Sequence, residues 1–395
     1  MALNNNQCAT VLNTAIAMAT GAEEISTLDL SAIVDAGNDA TVIGERDQFT
    51  QSLLNVITKN WFTDSSYRSD YTNHFFVEAE KFGAFVQAIH MEYPEAQASH
   101  AWEDFTATGG TRKTVGTYEV YTPVIFSQVY GKSISFEIPV TISDEQFDTA
   151  FHNATELATF VNYVMMMVDN ALVMKLEEVD VMNRNNFIAE KIAYSKADDA
   201  TGIHVVNLVD LYHDETGSSI TTAKAFMKDK DAMMWATATI SLFSSYLTKM
   251  SKAFNTASYD RFTPKDRQVL LLLSSFDKRA RAMAQANTFN PEYISLPNYD
   301  TVPYWQSPKS ETGLFSFDEV SSIDVKTATG ETVTESGIIG LLADKWAIME
   351  TIRSKRNAVK RFEPEALTTT FVQTRLSLSN DLTCSGIVFT LADRA

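Results

Sequence analysis

Residues 126–182 read FSQVYGKSISFEIPVTISDEQFDTAFHNATELATFVNYVMMMVDNALVMKLEEVDVM and change character twice. Within them, SISFEIPVTI from Ser133 alternates apolar and polar side chains, the period-two pattern of a strand with one covered face. Ser143, with Gln146 three residues later, forms a capping-box pattern that starts a helix. Beyond Asn153, the positions Leu157, Phe160, Val161, Val164, Met165, Val168, Leu172, Leu176 and Val179 recur at steps of three and four. This spacing predicts one helix from about Ala154 to Met182, roughly 40 Å long at 1.5 Å per residue. A strand that hands over to a helix of that length predicts an elongated subunit with the helix as its backbone.

Upstream, the sequence from Met1 to about Gly44 is polar, acidic and rich in Asn, Ala and Thr, with a short helical pattern around Leu12 to Met18, and it reads as an arm. Amphipathic spacing begins at Phe49 with Leu53, Leu54, Ile57 and Trp61, and a second helical piece is predicted from about Asn73 to Gln87. Thr117 to Tyr130, TYEVYTPVIFSQVY, is rich in β-branched and aromatic residues and follows the Gly109-Gly110 break, which predicts a long hairpin. A two-stranded ribbon alone is marginally stable in water, so such an arm needs a neighbour to lie on.

Downstream, the polar turn His213-Asp214-Glu215-Thr216-Gly217 precedes a helical stretch from about Ala232 to Phe254. QVLLLL, from Gln268 to Leu273, is a short apolar run of the kind buried on both faces of a sheet, followed by a helix from Phe276 to Ala286. Pro291, Pro297, Pro303 and Pro308 exclude long regular elements in the next section. Gly337 to Ala343 reads as a second buried strand, turned by Asp344-Lys345 and continued by Trp346 to Met349. Leu367 to Leu378 and Ser385 to Leu391 read as the final strands.

The chain has 395 residues, 45% of them hydrophobic, which is ample for a folded core and fits two domains or one body with appendages. Fifty acidic against 32 basic residues give a net charge of −18, a field that repels phosphate backbones and argues against sequence-specific DNA binding. Cys8 and Cys384 stand at opposite ends and supply neither a disulfide framework nor a CxxC motif, which suits a reducing cytosol. The first 45 residues contain no Lys or Arg, so Val11 to Ala19 lacks the positive flank of a secretory signal, and no run approaches the ~20 apolar residues of a membrane span.

Catalytic signatures are absent: the 15 glycines include no GxGxxG, GxxxxGK[ST] or GxSxG pattern. Cys384, near a C-terminal strand, reads as a small core residue rather than a thiol nucleophile. The local candidates for metal ligation are His100 with Glu103, and Asp210, His213, Asp214 and Glu215, each of which reads more simply as a solvated turn. Asn153-Ala154-Thr155 reads as a helix cap, and Met165, Met166, Met167 and Met174 as adaptable core or interface filler. Arg353, Lys355, Arg356, Lys360 and Arg361 form the one basic cluster, either a solvated face or a contact to acidic neighbouring subunits. No cofactor and no metal are expected.

The order of these parts resembles the Hong Kong 97-type fold of tailed-phage major capsid proteins, and more closely the major capsid proteins of small podophages of the Picovirinae type. Four stretches carry the resemblance: Phe126 to Phe151; Ala154 to Val179, similar to the family's spine helix; RQVLLLLSSFDKRARA from Arg267 to Ala282; and Ile338 to Ala392. The implied class is α+β. The implied parts are an N-terminal arm (1–48), a helical lead-in (49–97), an extended β-hairpin loop (98–131) and a peripheral domain with the spine helix (132–230). An axial domain (231–345) and return strands (346–395) complete the chain. The resemblance implies no enzyme activity. It implies a head protein that assembles with many copies of itself, as pentamers and hexamers, into an icosahedral shell around double-stranded DNA. Assembly would occur in the host bacterial cytoplasm with a separate scaffolding protein and a portal, with DNA held non-specifically and no membrane involved. The hairpin would lie over the adjacent subunit, so Arg112, Lys113, Tyr118, Tyr121, Phe126 and Tyr130, with Arg353, Lys355, Arg356 and Arg361, are the implied assembly contacts. Lys113 is also a candidate for the loop lysine that some relatives cross-link to an asparagine. The alternatives are an encapsulin-like nanocompartment shell, whose usual cargo-receiving first helix this polar start does not resemble, and an acidic cytosolic enzyme.

Overall fold

The computed structural model describes residues 75, 86–93, 124–131, 133–143, 154–198, 203–285, 299–307, 315–327, 330–362, 365 and 367–394; within these, the side chains of 86, 154–165, 198, 284 and 285 are left aside. In chain order the first elements are strands β1 (Val86–Met91), β2 (Ile125–Tyr130) and β3 (Ser133–Ser143), then helix α1 (Ala154–Asp198). Strand β4 (Val205–Asn207) leads into helices α2 (Leu208–Thr216), α3 (Ala223–Phe226) and α4 (Lys230–Tyr246), and β5 (Gln268–Leu273) into α5 (Ser274–Gln285). After β6 (Tyr299–Val302) and α6 (Phe317–Val320) come β7 (Ile323–Lys326), β8 (Thr332–Glu335), β9 (Ile338–Asp344), β10 (Ile348–Phe362), β11 (Leu367–Asn380) and β12 (Gly386–Thr390).

Two sheets share the long helix. The five-stranded sheet runs β4-β12-β9-β5-β6, and every residue of β5, β9 and β12 is buried, as continuous apolar runs covered on both faces must be. Leu271, Leu272, Leu341, Leu342, Val388 and Phe389 form its centre with Trp305, all fully buried. The three-stranded sheet runs β10-β11-β3, antiparallel throughout. Leu176 and Val179 of α1 pack on its Leu376, Leu378, Ile134, Phe136 and Ile352, whereas Phe187, Ile188, Ala189 and Ile192 enter the core of the other sheet. One helix thus fixes the two sheets to each other.

Helix α1 is 45 residues long, about 67 Å at 1.5 Å per residue, and extends sixteen residues beyond the predicted Met182. The apolar pattern breaks at Asn183, Arg184 and Asn185, yet all three are buried: Asn183 donates to Glu350 and Asn185 to the Trp305 carbonyl, while Arg184 pairs with Asp180 one turn back and lies over the Trp305 ring. Val86 and Gln87, read as the end of a helix, begin strand β1, which pairs antiparallel with β2. His213 to Thr216, read as a turn, complete α2, which is capped by the Asn207 side chain and ended by Gly217 at φ 67°. Helix α4 ends at Tyr246, eight residues before the predicted Phe254. Strand β10 continues thirteen residues past Met349. Strand β4 pairs in parallel with β12 of the five-stranded sheet, and Leu208, Val209, Tyr212 and Phe226 of the helices that follow it are buried in the same core. The arm, the lead-in helix from Phe49, the hairpin from Ala98 to Pro123 and the helix start at Ser143 to Gln146 lie outside the described residues, apart from Ser143 itself, which ends β3.

Gly337 opens β9 at φ 80°, and a Cβ there would collide with the Leu391 carbonyl oxygen, which only glycine avoids. Gly337→Ala is expected to cost about 1–3 kcal/mol through strain and that collision. A urea midpoint equal to that of the parent chain would contradict this.

Candidate functional site

The described base of the hairpin is the β1–β2 ribbon, and its two faces differ. Because side chains alternate and Val86 pairs with Tyr130, the residues Ala88, His90, Phe126 and Tyr130 share one face, and Ile89, Met91, Ile125 and Val129 the other. The first face is clamped to the body. The Phe126 ring stacks on Tyr259 at 4.6 Å between centroids. His90 contacts the Arg261 guanidinium and approaches Thr383 Oγ1 at 3.3 Å and Asp381 Oδ2 at 3.6 Å.

Beneath the ribbon, the Asp381-Leu382-Thr383-Cys384 turn supplies the polar partners. Burial opposes ionisation of Asp381, but hydrogen bonds from Thr383 and the charge of Arg261 outweigh it and hold its carboxyl below the usual range. Burial and Arg261 lower the pKa of His90 against the pull of Asp381, so Arg261 supplies the positive charge here. Burial and the Asp381 carboxylate push the Tyr130 phenol up, though its hydroxyl lacks a hydrogen bond of acceptable geometry.

Cys384 Sγ lies 3.0 Å from Arg261 Nη1 and 3.5 Å from Asp381 Oδ2, the carboxylate that His90 also approaches, so a Cys and a His share one Asp. The arrangement is the wrong one for a nucleophile. The thiol is buried, and burial with the nearby Asp381 raises its pKa, whereas a reactive cysteine needs access and a lowered one. In a Cys8→Ser variant, Cys384 is expected to resist a thiol reagent in the native state and react stoichiometrically in denaturant; rapid native labelling would overturn this assignment.

Strand β10 carries the basic cluster, and alternation splits it. Lys355 and Arg361 stand opposite Thr374 and Thr368, on the side where β11 is buried. Arg356 and Lys360 point to the other side with Arg375 of β11, where β3 presents Glu137, Pro139 and Thr141, all exposed. Arg353 sits in the β-bulge between Ile352 and Ser354. Charges and a bulge along an outer strand also discourage indiscriminate pairing of its free edge.

The metal-ligand candidates do not converge. Asp210 accepts a 2.6 Å hydrogen bond from Asn207, Asp214 pairs with Arg394 at 2.7 Å, and Glu215 accepts from the Trp235 indole at 3.1 Å. Among the described residues no three His, Cys, Asp or Glu side chains form a cation site. His100, Glu103, Arg112, Lys113, Tyr118 and Tyr121 lie outside the described residues. Sequence reasoning missed the clamp: Arg261 stands about 120 residues before the turn that carries Asp381 and Thr383, and no local pattern joins them.

A family model described as Phi29-like phage major capsid protein matches residues 12–382. The chain belongs to that family. This major capsid protein shares the Hong Kong 97-type fold with the capsid of Staphylococcus phage Andhra, at a TM-score of 0.52 and 9% identity, covering 82% of this chain and 84% of that one. Weaker likenesses include the mature capsid of bacteriophage PhiM1 (TM-score 0.42, 7% identity, 83% and 89% covered) and the capsid of cyanophage P-SCSP1u (0.39, 11%, 82% and 89%). No curated protein matches the sequence. The chain is therefore a shell subunit of a phage head, a virion protein that assembles with many copies of itself. Among the described residues, no helix of this capsid protein is long and apolar enough to cross a membrane.

Proposed function

We propose that this capsid protein forms pentamers and hexamers that close into an icosahedral shell around double-stranded DNA. Assembly takes place in the host cytoplasm, around a separate scaffolding protein and a portal, and the chain acts by assembly rather than catalysis. The observation that carries this reading is the ribbon. One face is clamped to its own chain, while the other exposes Ile89, Met91, Ile125 and Val129 at 56–61% of their surface. Four large apolar side chains on a two-stranded ribbon need a second layer, and in a shell the adjacent subunit supplies it. Phe126 and Tyr130, implied as assembly contacts, face their own chain and act by holding the ribbon at a fixed angle. Arg112, Lys113, Tyr118 and Tyr121, outside the described residues, are proposed as further contacts to the neighbour, with Arg112 and Lys113 near the hairpin tip. Arg356 and Lys360, with Arg375, offer positive charge to a neighbour in a chain of net charge −18, while Arg353, Lys355 and Arg361 serve the same strand from its bulge and covered side. The same net charge suits a wall that faces DNA without adhering to it.

Sedimentation velocity and negative-stain microscopy test the reading, on the chain alone and with the scaffolding protein of the same genome. Closed shells or five- and six-fold capsomers are expected. A monodisperse monomer under both conditions would overturn the proposal.

A further inference from the structure

Helix α4 is apolar on two sides. Ala232, Met233, Ala236 and Ile240 are fully buried in the core. On the outer side Met234, Ala238, Leu242 and Tyr246 follow one another at steps of four, and Met250 continues the line past the helix end. Met234, Leu242, Tyr246 and Met250 are 43%, 47%, 47% and 49% exposed. No charged residue occurs from Ala232 to Thr248. A surface helix ordinarily carries charge on its outer face, and one without it is built to be covered.

The charges at the two ends of this stripe indicate what covers it. Lys224 and Lys228 precede the helix, Lys230 opens it, and Lys249 and Lys252 follow it. Of the carboxylates among them, Asp229 caps α4 by accepting from the Ala232 N–H at 2.8 Å, and Asp260 pairs with Lys252 at 3.5 Å, which leaves Asp231. The stripe is thus apolar between cationic ends, in a chain whose net charge is −18. Its complement is an apolar segment bearing carboxylates and no cations.

The chain contains such a segment. AEEISTLDLSAIVDA, residues 22–36, interleaves Ile25, Leu28, Leu30, Ile33 and Val34 with Glu23, Glu24, Asp29 and Asp35, and no Lys or Arg occurs before Arg46. Forty residues separate Asp35 from the buried Phe75, up to about 130 Å of extended chain, so reach does not prevent contact with α4 of the same or an adjacent copy. We propose that residues 22–36 dock on the outer face of α4, with Met234, Leu242 and Tyr246 against their apolar side chains and Lys228, Lys249 and Lys252 against their carboxylates. This goes beyond the shell reading, since it assigns an occupant to a surface that the ribbon contact leaves open.

Zero-length carboxyl-to-amine coupling of the full-length chain, followed by peptide mass spectrometry, tests the proposal. The Lys196–Glu335 ion pair within the subunit is the internal control for coupling and folding. Adducts joining Lys228, Lys249 or Lys252 to Glu23, Glu24, Asp29 or Asp35 are expected. In Leu242→Glu they should fall at least tenfold while the control adduct persists. A mixture of isotopically light and heavy subunits tells whether the arm comes from the same or another copy. Apart from the Lys252–Asp260 adduct expected from the ion pair within the subunit, coupling of these lysines to another segment in place of the arm, or the control adduct without arm adducts, would overturn the proposal. Coupling is read on unassembled and assembled protein alike. A chain that forms no shells but gives the arm adducts sinks the shell reading and leaves this one standing.

Discussion

Arg184→Met is expected to lower the unfolding free energy by about 3–5 kcal/mol, the usual consequence of removing one partner from a buried ionic cluster. Arg184 and Asp180 are both fully buried on α1, with Nη1 3.5 Å from Oδ2, and the guanidinium lies 5.6 Å from the centre of the Trp305 ring. Glu350, the third residue of β10, is buried beside them and accepts a 3.1 Å hydrogen bond from Asn183. Two carboxyl groups thus face one guanidinium in a buried site. Methionine keeps most of the packing against Trp305 and removes the charge, so the loss reports electrostatics rather than a cavity. Chemical denaturation checks it, and a loss under ~1 kcal/mol would place the variant among ordinary surface changes.

The same cluster gives a pH dependence with a definite sign. Burial, then the charge of Asp180, push Glu350 up to about 8 against the opposing effects of Asn183 and Arg184. Its folded pKa therefore lies above the ordinary carboxylate value, and the folded chain keeps a proton that the unfolded chain releases. Stability is expected to fall as pH rises from about 4.5 to about 8 and to level off beyond. Glu350→Gln, which keeps the acceptor oxygen and cannot ionise, should flatten that slope. A slope identical in the two proteins would remove Glu350 as its cause.

This cluster also shows where the sequence stops being legible. The fully covered strands at Gln268 to Leu273 and Ile338 to Asp344 announce themselves as unbroken apolar runs, because both their faces are buried. The apolar spacing of α1 up to Val179 is equally plain, and its Leu176 and Val179 pack on the three-stranded sheet. Its second half is masked: the buried Asn183, Arg184, Asn185 and Lys191 look solvent-facing until Glu350, Trp305 and Leu382 are placed beside them. Strand β10 hides for a related reason, since an outer strand with lysines and arginines directed to both sides has no apolar alternation to reveal it. The hairpin could be read as a ribbon in need of a neighbour. Which of its faces is spoken for depends on Tyr259, Arg261 and Asp381, and sequence spacing cannot supply those contacts.

Placing charge on the free face of the ribbon should abolish shell formation without unfolding the subunit. In Ile89→Asp with Val129→Asp both changed side chains point away from the body, and each is more than half exposed in the isolated subunit. Their replacement is therefore expected to leave the thermal midpoint close to that of the parent chain, as surface substitutions do. In the shell the account reverses. Each apolar side chain buried against a neighbour contributes about 1.5–3 kcal/mol, and a carboxylate forced into the same contact adds a desolvation penalty. Even the smaller value, lost at two positions, is ~3 kcal/mol per contact, or about a hundredfold in the concentration needed to assemble. Because a closed shell repeats the contact at every subunit, the loss recurs at each of them. Light scattering with scaffolding protein present should show no particles for the double variant, and delayed particles for the milder Ile89→Ala with Val129→Ala. Arg261→Ala offers the contrast: it loosens the clamp beneath the ribbon, so it should lower the thermal midpoint as well as slow assembly. Normal shells from the aspartate variant would show that this face stays in water after assembly, and a collapsed thermal midpoint would show that it is already part of the subunit's own core.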